Sequence, residues 1–147
     1  VGIVGFRENL AAAKADVEAE SRVKTAPVEV VLNGEVYEVV FYRLPNREWS
    51  AATIKHPPRA EVPMDLANGY DISGVAREVS VEYGRLIEAG EEVELDADEW
   101  ASLWDVISPK AARYLEATVW FLHEREPEQE IEAAKKASRP VSRKKSS

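Results

Sequence analysis

Trp100, Leu103, Trp104 and Ile107 recur at i, i+3, i+4 and i+7, the spacing that lines one face of an α-helix. Asp96 stands ahead of that run with Glu99 three residues on, the pairing in which each side chain can accept the other's backbone N–H. After Ile107, Ser108 offers a second cap, and Pro109 falls at a first helical position, where its missing N–H costs nothing. A second stripe follows at Ala112, Leu115, Val119 and Leu122, widened by Ala111, Thr118 and Phe121. The pattern predicts helices over 97–107 and 109–124, and so short a link predicts that they pack back to back. Burial of each large apolar side chain is worth about 1.5–3 kcal/mol, so this pair is expected to form the core. Trp100 and Trp104 lie on the stripe and read as core. Trp120 sits at a stripe edge and suits either the core or a contact surface, since tryptophan is enriched at interaction hot spots.

Upstream, Phe6, Leu10, Ala13 and Val17 step by four, three and four through an Ala-, Glu- and Lys-rich stretch. This predicts a helix over 5–21 with a narrow apolar seam that packs on a single partner. The rest of the chain, another copy of it and a different protein all fit that role. Pro27 then leads into two β-rich runs joined by Asn33-Gly34, the preferred type I′ hairpin turn. With Leu32 opposite Glu35, one face of a hairpin over about 28–43 collects Val28, Val30, Leu32, Tyr37, Val39 and Phe41. Two strands alone are marginal in water, so the ribbon must lie on helices or gain a third strand.

Asn46 is expected to cap a short helix, REWSAATIK, with Trp49 and Ala52 or Thr53 inward. His56 must end it, because the residue before a proline avoids the helical region. His-Pro-Pro-Arg (56–59) reads as a stiff connector, followed by irregular chain to a turn at Asn68-Gly69. Asp71 caps a further helix with Ile72, Val75, Ala76 and Val79 on its apolar face, weakened by Gly74. Residues 84–95 suit a short second hairpin around Ala89-Gly90. The expected fold is therefore α+β, a mostly helical single domain. Its parts are an N-terminal helix and linker (1–26), a globular region (27–125) and a polar to basic tail (126–147), with a frayed helix to about 137.

Charge sharpens the picture. Residues 135–147 carry +6 and no acid, so the formal −8 of the whole chain leaves −14 on residues 1–134. An acidic body repels nucleic acid and favours solubility, and a basic tail among Ser, Ala and Pro reads as a solvated terminus. No apolar run has the length of a membrane span, and no signal peptide is apparent, so a cytosolic protein is expected. The chain has no cysteine, which excludes disulfides and thiolate zinc sites.

No constellation carries catalysis. His56 and His123 lack metal-ligand spacing, and His123 is expected against the last carbonyls of a helix. The run Glu91, Glu92, Glu94, Asp96, Asp98 and Glu99 lacks the order of a calcium loop, and its later members suit a helix start. GxSxG, Walker A and GxGxxG are absent. No catalytic residue, cofactor or metal is assigned.

Four phrases occur in order: REWSAATIKHPPR (47–59), NGYD (68–71), DADEWASLWDVIS (96–108) and VWFLHEREP (119–127). Together, over roughly 28–127, they resemble the tail assembly chaperones of long-tailed phages that infect actinobacteria. His123 departs from the pattern, where asparagine is more usual. The resemblance implies a non-enzymatic protein of the host cytoplasm, absent from the mature virion. Such proteins bind the long, helical tape measure protein and help recruit tail tube subunits, and a ribosomal frameshift often makes a longer form. Phe6, Leu10, Val17 and Trp120 are the candidate partner-binding residues, on the seam and the stripe edge. The alternative is a minor structural virion protein, associated with the head–tail junction or the tail tube.

Overall fold

The computed structural model of the chain describes residues 5–18 and 22–138, the side chains of Val17 and Glu18 excepted. Helix α1 (Phe6–Glu18) precedes the hairpin β1 (Val28–Leu32) and β2 (Glu35–Phe41). Three helices follow, α2 (Asn46–Lys55), α3 (Pro63–Asn68) and α4 (Ile72–Tyr83), then β3 (Gly84–Glu88) and β4 (Glu91–Val93). The chain ends in α5 (Ala97–Val106), α6 (Pro109–Trp120), a π turn (Phe121–Arg125) and α7 (Glu126–Ala137). The fold is α+β, built on one antiparallel sheet with strand order β1-β2-β3-β4.

Asn33 and Gly34 both adopt positive φ, as a type I′ turn requires, and this fixes the register at Leu32↔Glu35, Val30↔Tyr37 and Val28↔Val39. One sheet face thus presents Val30, Val39 and Phe41, all essentially inaccessible, to the helices. The third strand arrives from the second hairpin, with Val39 opposite Leu86 and Phe41 opposite Gly84. The segment before β1 also belongs to the sheet. Thr25 N–H donates to the Phe41 carbonyl, Arg43 N–H to that of Val23, and Lys24 bridges Tyr42.

The capping box at Asp96 and Glu99 is complete, and Ser108 Oγ accepts the Ala111 N–H with Pro109 in the first turn. Trp100, Leu103, Trp104 and Ile107 are buried, as are Ala112, Leu115, Val119 and Leu122. The two helices nevertheless do not pack back to back. Ile107 and Ser108 are both extended, so the link diverts the chain instead of folding it into a helical hairpin. Helix α4 is the element between them, and α5, α6 and α2 all lean on it. Trp104 Nε1 donates to Ser80 Oγ of α4 at 3.1 Å, and Arg77 of α4 pairs with Glu116 of α6 at 2.8 Å. Trp100 reaches the sheet and stacks on Phe41, ring centroids 6.2 Å apart.

Two local expectations need correction. Helix α2 starts at Asn46 itself with Pro45 as its N-cap, and no side chain caps it. The stretch after Val62 is not irregular. Pro63 opens α3, its missing N–H harmless in the first turn, and Gly69 in the left-handed region closes it. Gly74, read as a weakness of α4, is where His56 approaches. A Cβ there would lie 2.6 Å from His56 Nδ1 and 2.9 Å from Asp71 Oδ2. The helix expected to about 137 is α7, and Arg43 binds its Glu126 and Glu130 at 2.7 and 2.8 Å. Residues 139–147 of the basic tail lie outside the described residues.

Candidate interaction surface

Pro27 cannot donate to a strand ladder, so it separates the short pairing of Lys24 with Tyr42 from β1 proper. The chain entering the sheet therefore stands slightly apart from α6. Between them lies a groove of about 460 Å³, with Pro27 and Val28 on one wall and Tyr114, Ala117 and Phe121 on the other. Tyr114 and Phe121 are 63% and 39% exposed, so the groove offers aromatic surface to solvent. Its charged lining residue, Glu126, is already paired with Arg43.

Trp120 forms part of this groove but is not free to move. Its Nε1 donates to Asn68 Oδ1 at 2.8 Å, and the ring packs against the core. Phe6 and Leu10 on α1 are 76% and 56% exposed, and neither lines the groove. The Val17 side chain lies outside the described residues. Tyr114 and Phe121, the most accessible aromatics of the groove, were not singled out from the sequence. Phe121 appeared there as a stripe-widening core position, and Tyr114 falls off the stripe altogether.

Directly after Leu122 of the groove, His123 and Glu124 join a knot of polar aromatics. The Trp49 and His123 rings stack, centroids 3.9 Å apart, and Trp49 meets Tyr70 edge-on at 5.7 Å. Glu124 Oε2 accepts from both Trp49 Nε1 and the Tyr70 hydroxyl, at 3.3 and 2.9 Å. Burial, with Glu124 beside it, pushes the Tyr70 hydroxyl well above the usual phenol range. His123 Nε2 accepts the Leu44 N–H at 2.9 Å, so Nδ1 carries the proton and donates to the Val119 carbonyl at 2.8 Å. The expectation that His123 lies against helix carbonyls describes this bond. Burial pushes its pKa down to about 4, and the histidine is neutral.

The π turn leaves one carbonyl without a backbone donor. Pro127 has no N–H, so the Leu122 carbonyl five residues earlier lacks the donor a continuing π ladder would supply. Arg43 Nε fills that place at 3.2 Å while its Nη2 binds Glu126 and Glu130. One side chain just past β2 thereby fastens both the π turn and α7 to the sheet.

The Pro-Pro-Arg connector is tied to the Gly-Tyr turn in the same way. Asp65 is fully buried and accepts from Arg59 N, Nε and Nη2 and from Ile72 N. The Arg59 guanidinium holds its carboxyl down at about 2. His56 Nε2 contacts Glu78 Oε1 at 2.6 Å, and the His56 carbonyl accepts the Asp71 N–H. In the acidic run, Glu92 takes Lys24 and the Tyr42 hydroxyl, while Asp96 and Glu99 cap α5. Among the described residues no three His, Asp or Glu side chains converge as a metal site, and no helix is long and apolar enough to cross a membrane.

Three of the four sequence phrases therefore meet in one place: Trp49 with His123, and Asn68 with Trp120. The fourth, 96–108, packs on α4 beside them. No family model, curated protein or solved structure matches this chain.

Proposed function

We propose that this protein is a tail assembly chaperone that binds the tape measure protein and helps recruit tail tube subunits before the virion is complete. The observation that carries the reading is the meeting of the resembling phrases in one knot, Trp49 and Tyr70 on Glu124 and Trp120 on Asn68, instead of their scatter over unrelated surfaces. Residues that specify one fold together are what a shared family would hold in common. The reading also suits the surface. A chaperone must cover a client's apolar stripe and stay soluble while doing so. The exposed seam at Phe6 and Leu10 and the aromatic groove at Tyr114 and Phe121 supply the first, and the charge of −14 on residues 1–134 supplies the second.

Co-purification with a phage tape measure protein tests this. Leu10→Glu with Val17→Glu, and separately Tyr114→Glu with Phe121→Glu, are expected to weaken recovery while circular dichroism stays unchanged. Retention of full binding by both pairs of variants overturns the assignment of these surfaces. Mass spectrometry of purified virions decides against the alternative role. A chaperone is absent from finished particles, whereas a head–tail or tube component is present in fixed proportion.

A further inference from the structure

A second groove, about 420 Å³, opens between the sheet and the flank of α5. Its floor is Leu32, Leu86, Leu95 and Leu103, and Val106 at its end is 66% exposed. Polar groups lie mainly at its rim, where Asp96, Asp98 and Glu99 stand. A small-molecule site would need polar groups converging inside the cavity, and this floor offers none.

The rim is unbalanced. Elsewhere Glu78, Glu92, Glu116 and Glu126 each hold a cation, but among the described residues none of Asp96, Asp98 and Glu99 has one. The capping box occupies one oxygen each of Asp96 and Glu99 and leaves the other outward. The dipole of α5 offsets only about half a charge, so three carboxylates keep the rim negative. Along α5 the lining positions 98, 99, 102, 103 and 106 form one ridge about 12 Å long. A ridge of that kind packs against another helix.

We propose that this groove docks one amphipathic helix of a partner protein, its apolar stripe on Leu86, Leu95 and Leu103 and its lysines or arginines on Asp98 and Glu99. Charge selects the occupant. A second copy would bring −14 on its residues 1–134 to an already acidic rim, and its basic run 135–147, KKASRPVSRKKSS, has no apolar stripe for the leucine floor; α1, with Glu8, Asp16 and Glu18 against Arg7 and Lys14, does not compensate. The inference stands on this groove alone and does not depend on the morphogenesis reading.

Fluorescence anisotropy with a labelled peptide of about 18 residues, a leucine stripe flanked by lysines, tests it at physiological salt. Asp98→Lys and Val106→Glu are each expected to weaken binding about tenfold or more, and a glutamate-flanked peptide is expected not to bind. Glu29→Lys on the outer sheet face and Phe121→Glu in the first groove are expected to change little. Equal weakening by Glu29→Lys reduces the effect to diffuse attraction and overturns the proposal. So do amide shift changes centred on Tyr114 and Phe121, or a dimer in sedimentation that Val106→Glu dissolves. Asp98→Asn, at an exposed first-turn position, serves as the second variant should Val106→Glu fail to fold.

Discussion

The His123 ring lies parallel to Trp49, its two nitrogens committed to the Leu44 N–H and the Val119 carbonyl. Protonating the ring would turn the acceptor Nε2 into a second donor facing an N–H, with the Arg43 charge close by. The folded protein therefore holds the proton less tightly than the unfolded chain does. Stability from this group is full above the unfolded value of 6.5 and is lost as pH falls to the folded value of about 4. The loss across that window is on the order of 3 kcal/mol. Urea unfolding at a series of pH values should show it, and His123→Asn should flatten the profile between pH 6.5 and 4. Loss from Asp65 comes lower, as pH drops from 3.8 toward about 2, and so is separable.

Arg43→Met removes the donor that Pro127 cannot supply and frees Glu126 and Glu130. The expected cost is about 1.5–3 kcal/mol, typical of a hydrogen bond to a charged group. Arg43→Lys should not restore it, because a single ammonium cannot reach the Leu122 carbonyl and both glutamates as the guanidinium fork does. Hydrogen exchange should quicken across residues 126–137. In a Pro127→Ala background the backbone regains an N–H, so a double-mutant cycle should show a smaller cost for Arg43→Met.

Gly84 sits where β3 leaves α4, and a Cβ there would come within 2.7 Å of both the Ser80 carbonyl and Trp100 Cζ2. Gly84→Ala should destabilise by about 1–3 kcal/mol, the usual range for overpacking. Trp100 must shift to make room, so the fluorescence maximum should move red along with the lowered midpoint.

The two hairpin turns differ in one residue. Asn33 and Ala89 both hold positive φ, 51° and 52°, ahead of a glycine. Asparagine tolerates that region and alanine does not. Ala89→Asn should stabilise by up to about 1 kcal/mol and raise the melting temperature by several degrees. An unchanged or lowered melting temperature would show that the turn is not strained as the backbone indicates.

Local signals carried much of the fold into the sequence. Asn33-Gly34 set the register of β1 and β2, and Asp96 with Glu99 and Ser108 with Pro109 set two helix starts, because each acts within four residues. Helix α3 was signalled by Pro63 and Gly69 but is too short for its apolar spacing to show. The partition of α5 and α6 around α4 was not legible, since it depends on contacts such as Trp104 with Ser80 that span 24 residues. Arg43 was equally silent. Its role exists only because Pro127, far along the chain, strands a carbonyl beside it. At the candidate surface the sequence marked Trp120, whose indole is tied to Asn68, and passed over Tyr114 and Phe121. Exposure at a stripe edge is decided by neighbours that no periodicity names.

Strands β2 and β3 are adjacent in the sheet, yet residues 42–83, with three helices, separate them along the chain. The first hairpin closes through a two-residue turn, but the third strand comes home only after α2, α3 and α4 have doubled back. Sheet completion and helix docking are in this way a single event. The molecule has no route to a finished sheet with its helical insert still loose, and it should melt as one unit.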